Sequence, residues 1–276
     1  VPQQTFSAAG EPGAVGLLSS RALSHRVQPE DYVTIELDWQ VIEPLARDWS
    51  LFVHLVTPDE VIVSQRDVYP GQGLLAASDL AVGHAWRNPL AIWVPPAAYA
   101  PTMLDVRVGW YHLPTGDRMT LEDGIEMLTI GQVALEPRAS DLDVPNPISI
   151  NFSGLIELTG YALTDLSPAA GDAVTLTLYW RGLQPVPDDY KVFANIIDPA
   201  TLTKYAASDG MPAQWNAPTS TWEPGVIIED AHALSVQADA PPGIYEIEIG
   251  LYREAPDGTF PRLRIFTPDG GQASNY

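Results

Sequence analysis

Apolar and polar residues alternate along several short stretches of the chain. In Asp31–Trp39, the residues Val33, Ile35, Leu37 and Trp39 fall on one face of an extended strand, and Thr34, Glu36 and Asp38 fall on the other. Val174, Leu176, Leu178 and Trp180 repeat the apolar set, with Thr175, Thr177 and Tyr179 between them. Tyr245, Ile247 and Ile249 alternate with Glu246 and Glu248. Turn residues separate these runs at short intervals, which predicts about seven or eight short strands per ~135 residues. That pattern reads as all-β, in antiparallel β-sandwiches built with Ig-like logic. A closed barrel is the alternative, and the Cys–Trp–Cys pattern of true immunoglobulin domains is absent.

The same runs expose an internal repeat. Asp31–Trp39 matches Asp172–Trp180, Trp49–Leu55 matches Tyr190–Ile196, and Asp105–Tyr111 matches Glu246–Tyr252. With a slip of one residue, Asp67 meets Asp209 and Gly83 meets Gly225. The chain therefore reads as two tandem domains related by internal duplication, residues 1–143 and 144–276. The polar, proline-rich stretch Arg138–Pro147 serves as the linker. Copy one carries a further strand candidate at Ile125–Leu135, and copy two ends at Tyr276 without an equivalent.

Composition narrows the picture. Twenty-six prolines are spread over 276 residues, which rules out long helices. Cysteine is absent, so disulfides and thiolate chemistry are excluded. The net charge of -21 splits evenly, -11 over residues 1–146 and -10 over residues 147–276. It reads as a solvated acidic surface and leaves no basic footprint for nucleic acid. The longest uncharged run, Asn88–Leu104, holds four prolines and does not make an apolar spanning helix. No signal peptide is visible, and the start at Val1 without methionine is expected of a processed protein or a piece of a longer one.

Candidate chemistry is sparse. The histidines His25, His54, His84, His112 and His232 show no metal-ligand spacing, and a zinc site or a Ser-His-Asp triad would have to assemble across the fold. Carboxylate pairs such as Glu122–Asp123 and Glu229–Asp230 arise readily in so acidic a chain. Acids that recur in both copies are more informative. Asp31 and Asp172 precede strands and read as turn aspartates bonding their own backbone. Asp67 and Asp209 open the long connection and read as loop caps, with calcium ligation the alternative. Asn151-Phe152-Ser153 fits a glycosylation sequon. The long connection itself runs 68–85 in copy one, with Tyr69 and then Trp86, and 210–225 in copy two, with Trp215 and Trp222. An indole on a loop beside a carboxylate suits a sugar ring, so Trp215, Trp222 and Glu223 form the candidate binding set. The competing reading is a loop pinned over the sandwich by its own tryptophan.

The strings Val174–Leu183, Asp189–Ala194, Pro218–Gly225, Ala240–Tyr245 and Gly250–Tyr252 resemble a β-domain in the extracytoplasmic C-terminal regions of large bacterial membrane glycosyltransferases of the dolichyl-phosphate-mannose-dependent type. The resemblance covers nearly all of copy two and is looser in copy one. It implies a non-catalytic extracytoplasmic accessory or binding region of a larger bacterial protein, with a glycan or protein partner. It implies no cofactor, no catalytic residue and no metal, and a membrane link only through a segment outside this sequence. A purely structural spacer is the alternative, and a hydrolase with a site between the two copies is the second.

Overall fold

The computed structural model describes residues 1–266 and residue 271. Strand makes up 48% of the chain and helix 4%, so the protein is all-β. The chain divides into Val1–Pro137 and Arg138–Tyr276, earlier than the expected cut after residue 143. Glu136 closes the first unit, its backbone N–H donating to Val27 at 2.8 Å. The proline-rich stretch joins the second unit, where the Tyr161 N–H donates to the Pro145 carbonyl at 3.1 Å.

The first unit contains β1 (Gln4–Ser7), β2 (Ala14–Ala22), β3 (Arg26–Val27), β4 (Tyr32–Glu43), β5 (Ser50–Val56), β6 (Ile62–Val68), β7 (Ala85–Trp93), β8 (Thr102–Tyr111) and β9 (Leu128–Leu135). Its sheets run β1-β2-β4-β7 and β3-β9-β8-β5-β6, antiparallel except for the β3–β9 pair. The second unit contains β10 (Pro147–Phe152), β11 (Ile156–Leu163), β12 (Ala173–Gly182), β13 (Lys191–Ile197), β14 (Lys204–Gly210), β15 (Ile227–Ser235), β16 (Glu246–Tyr252) and β17 (Ile265–Phe266). Its sheets run β15-β12-β11-β10-β17 and β14-β13-β16.

In both units the first three long strands form a meander, the next two cross to the other sheet, and the following one returns beside the third. Leaving β1 and β10 aside, β2, β4 and β7 share one sheet and β5, β6 and β8 the other, and β11, β12 and β15 divide from β13, β14 and β16 in the same way. Antiparallel pairing holds β10, β11 and β12 side by side in one sheet.

Alternation decides which faces are buried. Val33, Ile35, Leu37 and Trp39 meet Leu51, Val53, Leu55, Val106 and Trp110 of the facing sheet in one apolar core. Leu176, Leu178 and Trp180 meet Val192, Ala194 and Leu251 in the other. Fully burying each such side chain stabilises by about 1.5–3 kcal/mol. The Trp39 ring lies edge-on to Trp110 at 5.1 Å, and the Trp180 ring edge-on to Phe152 at 5.6 Å. Bulges fall at matching places. Leu18 is the extra residue facing Trp39 and Asp38, as Thr159 is facing Trp180 and Tyr179.

Glycine and phenylalanine lock the second sheet of each unit. Gly109 lies opposite Phe52 and Gly250 opposite Phe193. A Cβ at either glycine would sit 2.4 Å from the ring. The guanidinium of Arg118 covers Phe52 at 5.0 Å, and that of Arg262 covers Phe193 at 4.6 Å. Gly109→Ala and Gly250→Ala should each lower stability by about 1–3 kcal/mol through overpacking. Gly182→Ala, whose nearest neighbour lies 3.7 Å from the new Cβ, should change it little. Chemical denaturation of the three variants measures the contrast.

Candidate functional site

The connection from β14 to β15 is folded throughout. It begins with a left-handed turn. Ala213, Gln214 and Trp215 have φ of 51, 54 and 72°, three consecutive non-glycine residues in a region that costs each about 1–2 kcal/mol. Backbone N–H groups of Trp215, Asn216 and Ala217 donate to the carbonyls of Met211, Ala213 and Pro212, respectively, within this turn. The first unit builds the same turn between β6 and β7 from easier residues. Gly71, Gln72 and Gly73 have φ of 61, 61 and 88°, with the matching hydrogen bonds from Gly73, Leu74 and Leu75. Two of its three left-handed positions are glycine, which tolerates positive φ.

A 3-10 turn follows in each unit, Ala77–Asp79 and Thr219–Thr221. Its second residue is tied down by an aspartate before the facing strand. The Ser78 N–H donates to Asp48 at 3.0 Å and the Ser220 N–H to Asp189 at 3.0 Å. Thr219 adds a second tie, its Oγ1 accepting from the Tyr190 N–H at 2.8 Å. The residue after the turn is then driven inward, Leu80 in one unit and Trp222 in the other.

Trp222 is 5% exposed and belongs to the apolar core, with its indole N–H donating to the Ala217 carbonyl at 3.0 Å. Its ring pins the loop and offers no face to a ligand. Glu223 is exposed on the following residue. Trp215 is 63% exposed. One edge of its indole approaches Gly210, where a Cβ would come within 3.3 Å of Nε1. The Lys191 ammonium lies 5.5 Å from its ring and 2.5 Å from Glu254. The structure thus buries Trp222, leaves Trp215 exposed and brings Lys191, itself paired with Glu254, to the Trp215 ring. Sequence reasoning missed both partners. The available signal was that Lys191 is one of only two lysines in the chain and opens a strand.

The structure also assembles a chain of polar groups around Asp230 of β15. Asp230 is 1% and His232 4% exposed. His232 Nε2 lies 2.8 Å from Asp230 Oδ2, and Ser208 Oγ lies 3.1 Å from His232 Nδ1. Asp230 also accepts from the Trp180 indole at 3.2 Å and from the Ala213 N–H at 2.8 Å. The adjacent Glu229 lies exposed on the other face of β15, so the two acids do not act as a pair.

The recurring acids have local work. Asp31 accepts from the Gln28 N–H at 2.8 Å and Asp172 from the Ala169 N–H at 3.1 Å, as turn aspartates do. Asp67 accepts from the Tyr111 hydroxyl at 2.9 Å and Asp209 from the Tyr252 hydroxyl at 2.7 Å. Among the described residues no group of three or more His, Asp or Glu is placed to hold a metal ion. His54 sits beside Phe52, and burial lowers its pKa. Asn151 accepts from the Gly154 N–H at 2.7 Å, capping the turn that holds the sequon. No described helix is long and apolar enough to cross a membrane.

No protein-family model matches the chain, and no curated protein matches it. Among solved structures it is similar to a purple acid phosphatase isolated from yellow lupin (Lupinus luteus) seeds, at 14% identity and a TM-score of 0.23. The match covers 93% of this chain and 41% of that one, so the chain spans less than half of the phosphatase. A likeness at that score carries no argument about fold or activity.

Two outcomes are expected from this geometry. Trp222→Ala should cost about 3–5 kcal/mol, read by chemical denaturation, because it empties a core position. The second concerns the tyrosines. Burial, and then the hydrogen bonds to Asp67 and Asp209, push Tyr111 and Tyr252 up to about 12, against about 10 for a free phenol. A pKa raised by folding stabilises the protein fully below pH ~10, and that stabilisation is lost as pH climbs towards ~12. Phenolate absorbance should show late-titrating tyrosines in the folded protein, and a Tyr111→Phe/Tyr252→Phe variant should lose two of them.

Proposed function

We propose that this chain is a non-catalytic binding region that holds a glycan through the open face of Trp215. The observation that carries the reading is the conformation of that residue. A large aromatic ring occupies a left-handed position where the equivalent turn has Gly73, and it stays solvent-exposed. Glycine at 215 would relieve the backbone, so the indole is held at a cost in stability, a pattern that marks binding sites. An exposed indole flanked by an ammonium and a carboxylate, Lys191 and Glu254, offers a stacking face with hydrogen-bonding groups beside it. That mix suits a pyranose ring. The site is shallow, so affinity is weak and rests on the stacking contact.

Two wider readings accompany it. The shared strand order, the matching bulges and the matching turn between β6 and β7 and between β14 and β15 support descent of both units from one duplicated sandwich. The resemblance to extracytoplasmic regions of membrane glycosyltransferases supports a place outside the cytoplasm as part of a larger protein. Glycans are the natural ligands of such a location.

A glycan array probed with the intact chain tests the proposal. The parent should retain at least one oligosaccharide, and Trp215→Ala should lose it with an unchanged far-ultraviolet circular dichroism spectrum. Trp215→Gly should lose the same ligand yet be about 1 kcal/mol more stable than Trp215→Ala, since both remove the ring and only glycine removes the strain. An array without a retained sugar, on protein with a native spectrum, defeats the binding reading in favour of a structural spacer.

A further inference from the structure

The left-handed turn of the second unit lacks the glycines of the first, so something else must hold it. The buried carboxylate of Asp230 occupies that place. Its Oδ1 accepts from the N–H of Ala213, the first left-handed residue, at 2.8 Å. Its Oδ2 accepts from the Trp180 indole at 3.2 Å and faces His232 Nε2 at 2.8 Å. An ionised carboxylate is costly to bury unless its lone pairs are used, and here three donors converge on it. Ser208 Oγ lies 3.1 Å from Nδ1 on the far side of the same ring, so both nitrogens of His232 have a polar neighbour.

The first unit provides the comparison. Asp230 stands opposite Leu178 on the neighbouring strand, and Asn88 stands opposite Leu37 in the same way. Asn88 is fully buried, and neither its amide nitrogen nor its amide oxygen has a hydrogen-bond partner. The Trp39 indole, equivalent to that of Trp180, is likewise unpartnered. A glycine-bearing turn thus goes with an amide that does not reach it. A turn of Ala213, Gln214 and Trp215 goes with a carboxylate bonded to its first N–H.

We infer that Asp230 is the positioning residue for Trp215: its carboxylate, fixed from behind by Trp180 and His232, holds the Ala213–Trp215 turn left-handed and thereby sets the direction of the exposed indole. This rests on the reading of Trp215 as the binding face and names the part of the core that builds it. Asp230 touches no ligand itself. Its influence passes through one backbone hydrogen bond to a residue two positions before the indole.

Asp230→Asn separates this role from ordinary core packing, because the amide keeps the shape but replaces one acceptor oxygen with a donor. It must then present its NH2 group either to the Ala213 N–H or to the Trp180 and His232 side. Fluorine NMR of the full chain labelled with 5-fluorotryptophan reads the consequence, with the Trp215 signal assigned through Trp215→Phe. The expected result is a Trp215 signal displaced or broadened by more than its linewidth, with the signals of Trp39, Trp49, Trp86, Trp93 and Trp110 unchanged. A Trp215 signal left unmoved by Asp230→Ala, which removes both acceptors, as well as by Asp230→Asn would overturn the inference, leaving Asp230 as a partner of the core alone. If Asp230→Asn does not fold, Ala213→Gly/Asp230→Asn compared with Ala213→Gly gives the same reading in a relaxed turn. On any sugar that the array retains, Asp230→Asn should weaken binding about tenfold with Trp215 still in place, and unchanged affinity would also overturn the inference. An empty array defeats only the choice of ligand, since the Trp215 signal still reports whether Asp230 positions the indole.

Discussion

Each unit is organised around an inward tryptophan near the end of its third long strand, Trp39 in β4 and Trp180 in β12. The ring fills the space between the two sheets, and its cross-strand neighbours fix the register on both sides. Trp39 lies between Leu17 and Trp86, and Trp180 between Leu158 and Ile228. Slipping either strand by one residue would turn every inward side chain to water, so the register is strongly held. The bulge facing each tryptophan follows from the same constraint, since a bulky ring at the sheet end requires the facing strand to bend.

Trp180 differs from Trp39 in where its indole N–H goes. In the second unit it meets Asp230, and that carboxylate leads outward to the turn carrying Trp215. In the first unit the indole and Asn88 remain unpartnered. The two units thus share a frame and diverge in the polar content of one core position. Burial makes that position consequential, because a carboxylate there must recruit donors from its surroundings. The loop backbone of the second unit is one of those donors.

The strands were readable because half-buried sheets impose a period of two. Counting outward from Ile228 also places Asp230, His232 and Leu234 on one inward face, so the polar cluster lay within reach of the same rule. The left-handed turn was not readable. Positive φ is normally announced by glycine, as at Gly71 and Gly73, and Ala213–Trp215 carry no such sign. The fate of Trp222 depended on the 3-10 turn before it, which reverses the chain through tertiary ties from Asp189 and Thr219 that no local pattern contains. Glu254 lies far along the chain from Trp215, and only the pairing of Lys191 with Tyr252 brings them together.

The outer edge of β7 has a further consequence. Pro89 sits there without an N–H to offer, and neighbouring side chains occupy the carbonyls that a passing strand would seek. Ser64 donates to Trp93 at 2.6 Å, Arg66 to Ala91 at 2.7 Å and Gln72 to Pro89 at 3.3 Å. An unpaired strand edge is a template on which another chain can add. With those carbonyls occupied and Pro89 lacking a donor, the β7 edge offers little for a further strand to pair with.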